Sequence, residues 1–229
     1  MIPLYLGTVQ GYSPLQIGEV LIWVGLPQFL IFPFLPLLMK RFDQRLLVCC
    51  GCLIFAVSCY MNISMSFDYA GDQLRLANLV RAFGQPFTIV PITGLAVATL
   101  AAQDAGSGSA IFNIFRNIGG SFGIAILSTL VTRREQFHDL RIGELVTVYS
   151  PATQARLAAV QENFVGKGFD ATMALKQSYA AVKSVVTREA FVMAFNDAFL
   201  VISIALLVCA GAIWFCKKPS AEETRVPAG

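Results

Sequence analysis

The sequence predicts an all-α integral membrane protein with five complete transmembrane helices and one partial helix before them. Of the 229 residues, 56% are hydrophobic and 14% are charged, whereas soluble domains have about 45–50% apolar and about 25% charged residues. The mean hydropathy of +0.65 points the same way. The charged residues lie mainly in short clusters between apolar runs, and these runs reach the ~20 residues that a helix needs to cross a bilayer.

The N-terminal half contains three uninterrupted apolar stretches. Residues 20–39, 46–67 and 82–103 contain no charged residue, and each stretch is long enough to cross the membrane as a helix. Residues 1–12 are also apolar but too short to cross. We interpret them as the last turns of a helix that begins before this chain.

Two further spans each contain one charged residue. The fourth predicted span, residues 107–132, is interrupted only by Arg116, and the fifth, residues 190–216, only by Asp197. A charge at the bilayer centre costs about 2.5–3.5 kcal/mol on insertion scales, so such residues are functional candidates by default. Both lie near mid-depth, and we expect them to form an ion pair if their helices are neighbours. The alternative is that each residue only locks helix packing.

Clusters of Lys and Arg orient the helices. Lys40, Arg41 and Arg45 surround Asp43 in the first short connection, and more basic residues follow the last span. Because cytoplasmic loops carry an excess of Lys and Arg, both regions are predicted to face the cytoplasm. The predicted organisation is a partial helix and four transmembrane helices in residues 1–132, an extracytoplasmic helical loop in 133–189, a final transmembrane helix in 190–216 and a cytoplasmic tail in 217–229.

The extracytoplasmic loop carries its own helix signals. Ser150 precedes a proline and suits the N-cap of one helix, while Asp170 suits the N-cap of a second helix that runs toward the last span. Gly166 and Gly168 mark a break between them. Two short helices are therefore predicted outside the membrane. They form either a simple connector or a docking surface for a partner on that side.

Polar residues in the third and fourth spans are candidates for a substrate cavity. Asn113 and Asn117 lie four residues apart beside Arg116, so they share one helix face. Gln85 lies between a glycine and a proline, which predicts a kinked helix with a polar side chain at the kink. We expect these four residues to line a cavity, with Asp197 as their charge partner.

Small and aromatic residues surround these positions. Gly119 and Gly123 have the G-x-x-x-G spacing that is typical of close helix packing. Five phenylalanines lie near the polar positions: Phe83, Phe87, Phe112, Phe115 and Phe122. They are either ordinary packing and lipid-facing residues or, if some line the cavity, residues that favour apolar, aromatic substrates.

An enzyme is the competing class within the membrane, and the sequence does not support it. The chain has a single histidine, His138, and lacks the H-E-x-x-H and G-x-S-x-G patterns. Cys49 and Cys52 form a C-x-x-C without a second ligand pair, so no metal site is predicted. A purely structural membrane subunit remains an alternative to a transporter.

Four strings resemble the C-terminal half of the EmrB/QacA family, the fourteen-helix drug:proton antiporters of the major facilitator superfamily. On this match, the five spans are the tenth to fourteenth helices of the family, and residues 1–12 are the end of the ninth. The connection KRFDQR departs from the family's D-R-F-D-P-R at Lys40 and Gln44. The four strings are PLYLGTVQGYSPLQIG at residues 3–18, KRFDQR at 40–45, SGSAIFNIFRNIGGSFGIAI at 107–126 and AFNDAF at 194–199.

The resemblance implies a multi-pass protein of the bacterial inner membrane that exports hydrophobic or amphipathic compounds by alternating access. The proton gradient drives export without another cofactor, and Asp197 becomes a candidate proton-linked acid. Implied partners are an N-terminal bundle absent from this chain, membrane lipid, and a periplasmic adaptor with an outer-membrane channel; no nucleic acid is implied. The alternatives are an exporter of one small metabolite or fatty acid, and a truncated, non-transporting membrane subunit.

Overall fold

The computed structural model describes residues 1–69, 71–97, 105–147 and 149–215, and all regular secondary structure in these ranges is helical. The predicted all-α class is therefore confirmed. The helices are α1 (Ile2–Thr8), α2 (Pro14–Ile31), α3 (Leu35–Arg41), α4 (Gln44–Tyr60), α5 (Gly71–Val97), α6 (Ala105–Leu145), α7 (Pro151–Gly166) and α8 (Ala171–Ala212), with short 3-10 turns at Phe32–Phe34 and Ile213–Phe215.

Several of these helices have the length and composition of membrane spans. Three segments are long and apolar enough to cross a membrane: Pro14–Arg41, Gly106–Leu145 and Ala171–Phe215. The helix Gln44–Tyr60 is apolar but shorter. The chain is therefore a multi-pass membrane protein. The remaining predicted span, residues 82–103, lies on α5 as far as Val97; its last residues, like the predicted tail, are outside the described ranges.

The first span bends where its prolines lie. Ser13 begins α2 with a capping box: its hydroxyl accepts from the backbone N–H of Gln16, whose side chain accepts from the backbone N–H of Ser13. This reciprocal pair satisfies two donors that a helix start leaves free. Pro27 lies inside α2, and a 3-10 turn containing Pro33 separates α2 from α3. The segment is thus a broken helix rather than a straight rod.

Helix α4 lies at the centre of the bundle, packed against both α5 and α8. Glycines allow the close approach to α5: a Cβ at Gly84 would lie 2.7 Å from the backbone N of Phe55, and one at Gly51 would lie 2.8 Å from the backbone N of Thr88. Small residues bring helix backbones together in this way. On the other side, Tyr5 packs its ring edge against Phe195 with centroids 5.5 Å apart, which ties α1 to α8.

Two helices are longer than a bilayer requires. Helix α6 has 41 residues and α8 has 42, so each is about 60 Å long against a hydrocarbon core of about 30 Å. The predicted loop of residues 133–189 is therefore mostly the continuation of these two helices. The first predicted short helix occurs as α7, but the second is the start of α8 rather than a separate helix. The apolar stretch ends at Thr132, but Arg, Glu, Gln and Leu are good helix formers and continue α6.

The helix starts in this outer segment agree with the sequence. Helix α7 begins at Pro151 after Ser150, although the Ser150 side chain does not cap it. Asp170 caps α8, and its carboxylate accepts hydrogen bonds from the side chain and backbone N–H of Thr172. These hydrogen bonds hold the pKa of Asp170 below its ordinary value. Helix α7 packs on α8, so the outer segment forms a helical layer.

Candidate functional site

A carboxylate in the last apolar helix is held by two side chains of α6. The Nε of Arg134 donates to Oδ2 of Asp197 at 2.6 Å, and Nε2 of His138 lies 2.7 Å from the same oxygen. Arg134 favours the ionised carboxylate, which can only accept hydrogen bonds. We therefore assign the Nε2 hydrogen to His138. We call these three residues the outer cluster.

The outer cluster is partly shielded from solvent. The His138 side chain is 11% exposed and that of Asp197 is 28% exposed. The ring of Phe137 stands edge-on to the imidazole with centroids 5.5 Å apart, and the Arg134 guanidinium lies 5.1 Å from the centroid of that ring. A charge pair in such a setting is screened less by water than one on an open surface.

The packing of α6 against α8 brings the outer cluster together. Arg134 and His138 are four residues apart, so both project from one face of α6. Farther along the same helix, Asp139 accepts from Nζ of Lys183 at 2.5 Å and from Oγ1 of Thr187 at 3.0 Å. These polar contacts, together with the outer cluster, fix how α6 is aligned with α8.

The predicted ion pair between Arg116 and Asp197 is wrong. Asp197 pairs with Arg134, which follows Arg116 by eighteen residues on the same helix, about 27 Å along its axis. The two helices are neighbours, as the prediction required. The depth of each residue in its own span does not specify which residues of the two helices meet. Helix α6 continues past its apolar stretch and presents its outer, charged end to Asp197.

Residues 113–122 of α6 are exposed on every side of the helix, and we call the side with the predicted residues Asn113, Arg116 and Asn117 the open face. Among the described residues, the Asn113 amide donates to the backbone of Ser109 on its own helix, at 3.0 Å. A Cβ at Gly119 would meet nothing within 4 Å. The same holds for its G-x-x-x-G partner, so the predicted close packing is not made within the described part of the chain.

Gln85 belongs to the contact between α2 and α5. Its Oε1 accepts a hydrogen bond from Nε2 of Gln28 at 3.0 Å, and no hydrogen bond joins it to the predicted residues of α6 among the described residues. Beside this pair lies a wholly apolar groove of about 400 Å³. Two of the predicted phenylalanines line it; the lining residues are Pro27, Leu30, Ile31, Phe34, Leu35, Leu38, Phe83 and Phe87.

The residues of the predicted cytoplasmic connection end one helix and begin the next. Asp43 caps α4, accepting from the backbone N–H of Arg45 at 3.0 Å. Lys40 and Arg41 lie in the last turn of α3, where positive charge interacts favourably with the helix dipole. The Nε of Arg45 is buried and has no hydrogen-bond partner among the residues that the structure describes. The connection is therefore a tight, capped turn.

Metal-binding groups do not assemble in the described part of the chain. No cluster of three or more His, Cys, Asp or Glu side chains suitable for a metal ion occurs there. Cys49 and Cys52, the C-x-x-C pair, are free thiols. The candidate site in the described part of the chain is therefore the outer cluster, whose three side chains are joined by hydrogen bonds.

The sequence profile of the Major Facilitator Superfamily matches residues 1–124. The chain belongs to this superfamily. The match covers α1 to α5 and the first half of α6. The outer cluster lies beyond it.

Individual relatives of this superfamily match almost the whole chain, including the outer cluster. The multidrug export protein EmrB of Escherichia coli is 26% identical over 226 residues, which cover 96% of this chain and 41% of that protein. The colistin resistance protein EmrB of Acinetobacter baumannii is 26% identical over 210 residues, covering 92% and 40%. The fatty acid resistance protein FarB of Neisseria gonorrhoeae is 24% identical over 219 residues, covering 96% and 42%.

These matches confirm the predicted resemblance to the EmrB branch of the major facilitator superfamily. The chain spans about two fifths of the length of the curated relatives it matches.

Two residues of the outer cluster were not among the predicted site residues. Arg134 and His138 were assigned to a loop outside the membrane, where a charge run suggests only a solvated surface. Their spacing of four residues was a usable signal, because it places both on one face of a helix that continues from the fourth span. Pairing that face with the only acid in the last span would have identified the cluster.

Proposed function

We propose that this chain is the C-terminal part of a proton-coupled multidrug exporter, which moves hydrophobic or amphipathic compounds out of the cell by alternating access. The observation that carries the proposal is the match, along 92–96% of the chain, to major facilitator relatives named for multidrug export or drug resistance. The outer cluster supports proton coupling, because ionisable groups paired within membrane helices are typical of proton relays.

The open face of α6 supports a second bundle as the partner. It carries Asn113, Arg116 and Asn117 beside two glycines with free space above them. A charged side chain is costly against lipid and normally faces a bundle interior or a water-filled cavity. We propose that this face, with Gln85, lines a substrate cavity shared with an N-terminal bundle, which supplies the remaining length seen in relatives.

The other parts of the proposal concern location and partners. We propose the inner membrane of a bacterium, with the loop of Lys40, Arg41, Asp43 and Arg45 in the cytoplasm and α7 on the opposite side. Membrane lipid and hydrophobic small molecules are the immediate partners. The outer helical layer formed by α6, α7 and α8 is the proposed contact for a periplasmic adaptor that leads to an outer-membrane channel.

Dye efflux from cells tests the proposal. The gene is expressed with any coding segment upstream of Met1, and ethidium efflux is followed before and after a protonophore collapses the proton gradient. Efflux that stops with the gradient, and that is lost in Arg116→Ala but kept in Arg133→Ala, supports the transporter and its cavity face. Efflux equal to that of cells without the gene contradicts it and favours a non-transporting membrane subunit.

A fatty acid exporter is the second candidate. It is favoured by the similarity to the fatty acid resistance protein FarB and by the apolar groove beside Gln28 and Gln85. Long-chain fatty acid resistance, measured in the same cells, separates the two functions. Protection against the fatty acid without ethidium efflux would assign the narrower substrate.

A further inference from the structure

We propose that the outer cluster binds the coupling proton on the imidazole of His138, with Asp197 as its fixed counter-ion and Arg134 as the residue that keeps Asp197 ionised. The inference rests on the proposed proton-coupled function and adds a named acceptor to it. The sequence suggests Asp197 as a charge partner or as a proton-linked acid. The geometry assigns that role to its neighbour.

The hydrogen bonds on Asp197 explain this exchange of roles. One carboxylate oxygen accepts from both Arg134 and His138, at 2.6 and 2.7 Å. Charge-assisted hydrogen bonds of this length favour the ionised carboxylate. A carboxylate held ionised by a permanent cation is a poor proton carrier near neutral pH. Histidine, in contrast, is the side chain that ordinarily changes its charge between about pH 5 and 8.

The proton step involves one ring nitrogen. In the neutral ring, Nε2–H donates to Asp197, and the Nδ1 lone pair is the site that can accept a proton. Binding forms one N–H bond at Nδ1 and makes the ring a cation, while the hydrogen bond from Nε2 to Asp197 persists. Release breaks the same N–H bond and restores the neutral ring. No other bond changes, and no electron is transferred.

Charged groups of α6 and α8 surround His138. Asp197 faces it from α8, and Arg134 lies one turn away on α6. On α6, Glu135 and Arg141 are each three residues from His138; Arg141 pairs with Glu144, and the neighbouring Asp139 pairs with Lys183 of α8. The other charged groups on the helices around it include Lys176, Arg188 and Glu189 on α8, Arg156 on α7, and Asp72, Arg75 and Arg81 on α5.

The position of the cluster suits proton entry from the outer side. Asp197 is seven residues inside the last apolar stretch, about 10 Å along α8. His138 is six residues beyond the end of the fourth apolar stretch. The cluster therefore lies where the apolar stretches give way to the charged outer ends of α6 and α8, and the His138 side chain keeps a small exposed area.

The deciding experiment uses the full gene product in proteoliposomes. His138→Gln retains an N–H donor for Asp197 but cannot take up a proton, and Arg133→Gln is the matched control on the same helix. Gradient-driven ethidium export is expected to be lost in His138→Gln, whereas ethidium binding and downhill ethidium flux persist. Arg133→Gln is expected to behave as the wild type.

A second readout separates proton binding from folding. In weakly buffered detergent solution, ethidium binding is expected to release protons from the wild type, and this release is lost in His138→Gln. Asp197→Asn, which keeps the histidine but removes its counter-ion, is expected to weaken the coupling between ethidium binding and proton release. His138→Gln with wild-type export and proton release overturns the inference alone. A wild type without gradient-driven export overturns the proposed function and this inference together.

Discussion

The side chain of Asn196 bonds both backbone groups of Met65: its Nδ2 donates to the carbonyl at 2.9 Å and its Oδ1 accepts from the N–H at 3.2 Å. Met65 lies in the connection between α4 and α5, and Asn196 immediately precedes Asp197 on α8. The same connection is held by Gln10, in the turn after α1, whose Nε2 donates to the carbonyl of Phe67. The outer cluster is thus built beside an anchored loop.

Removal of this anchor is expected to destabilise the bundle. Asn196→Ala leaves the two backbone groups of Met65 without their partner, which costs about 1–3 kcal/mol for each group that stays buried and unsatisfied. The measurement is thermal or denaturant unfolding of the purified protein in detergent. Asn113→Ala is the control, because that amide is exposed and, among the described residues, bonds to its own helix; an equal loss in both variants would refute the anchor.

Substitutions of the two adjacent arginines at the outer end of α6 are expected to differ in their effect on the free energy of unfolding. Arg134→Gln removes a charge-assisted hydrogen bond to Asp197, a class of bond worth about 1.5–3 kcal/mol, whereas Arg133→Gln should stay within about 0.5 kcal/mol as an exposed substitution. Unfolding free energies of both variants provide the comparison. Similar values for the two would show that the Arg134–Asp197 pair contributes nothing to stability.

Substitution of a tightly packed glycine and of a glycine on the open face should have different effects on stability. Gly84→Ala places a Cβ 2.7 Å from the backbone N of Phe55, and such overpacking typically costs about 1–3 kcal/mol. Gly119→Ala meets nothing within 4 Å and should be neutral or stabilising, because alanine is the better helix former. Melting temperatures of both variants in one detergent test this. A larger decrease in melting temperature for Gly119→Ala than for Gly84→Ala would show that Gly119, and not Gly84, lies in a tight packing contact.

Arg116→Ala is expected to change transport but not stability. The side chain is exposed, and among the described residues it forms no ion pair, so its removal breaks no internal contact. If its face meets a second bundle across a cavity, gradient-driven ethidium export falls while the unfolding midpoint of the purified chain stays unchanged. Full export by Arg116→Ala would exclude this residue from the cavity.

The all-α class and the first residues of most helices could be predicted from local sequence patterns. Uncharged apolar stretches predicted the spans, and the residues before α7 and α8 predicted where those helices begin, because capping depends on a few neighbouring residues. The continuation of α6 past Thr132 was missed for a related reason. A change from apolar to charged residues ends a predicted membrane span, but it does not end a helix whose residues still favour helical backbone.

The sequence by itself determined the all-α membrane class, the superfamily and the pair of residues with the most costly charges. Only the tertiary structure decided which polar side chains meet: Asp197 with Arg134 and His138, and Gln85 with Gln28, while Arg116 has no ion-pair partner among the described residues. The physical reason is alignment between helices. A period of 3.6 residues specifies which side chains share a face, but the alignment of α6 with α8 depends on contacts between residues far apart in sequence.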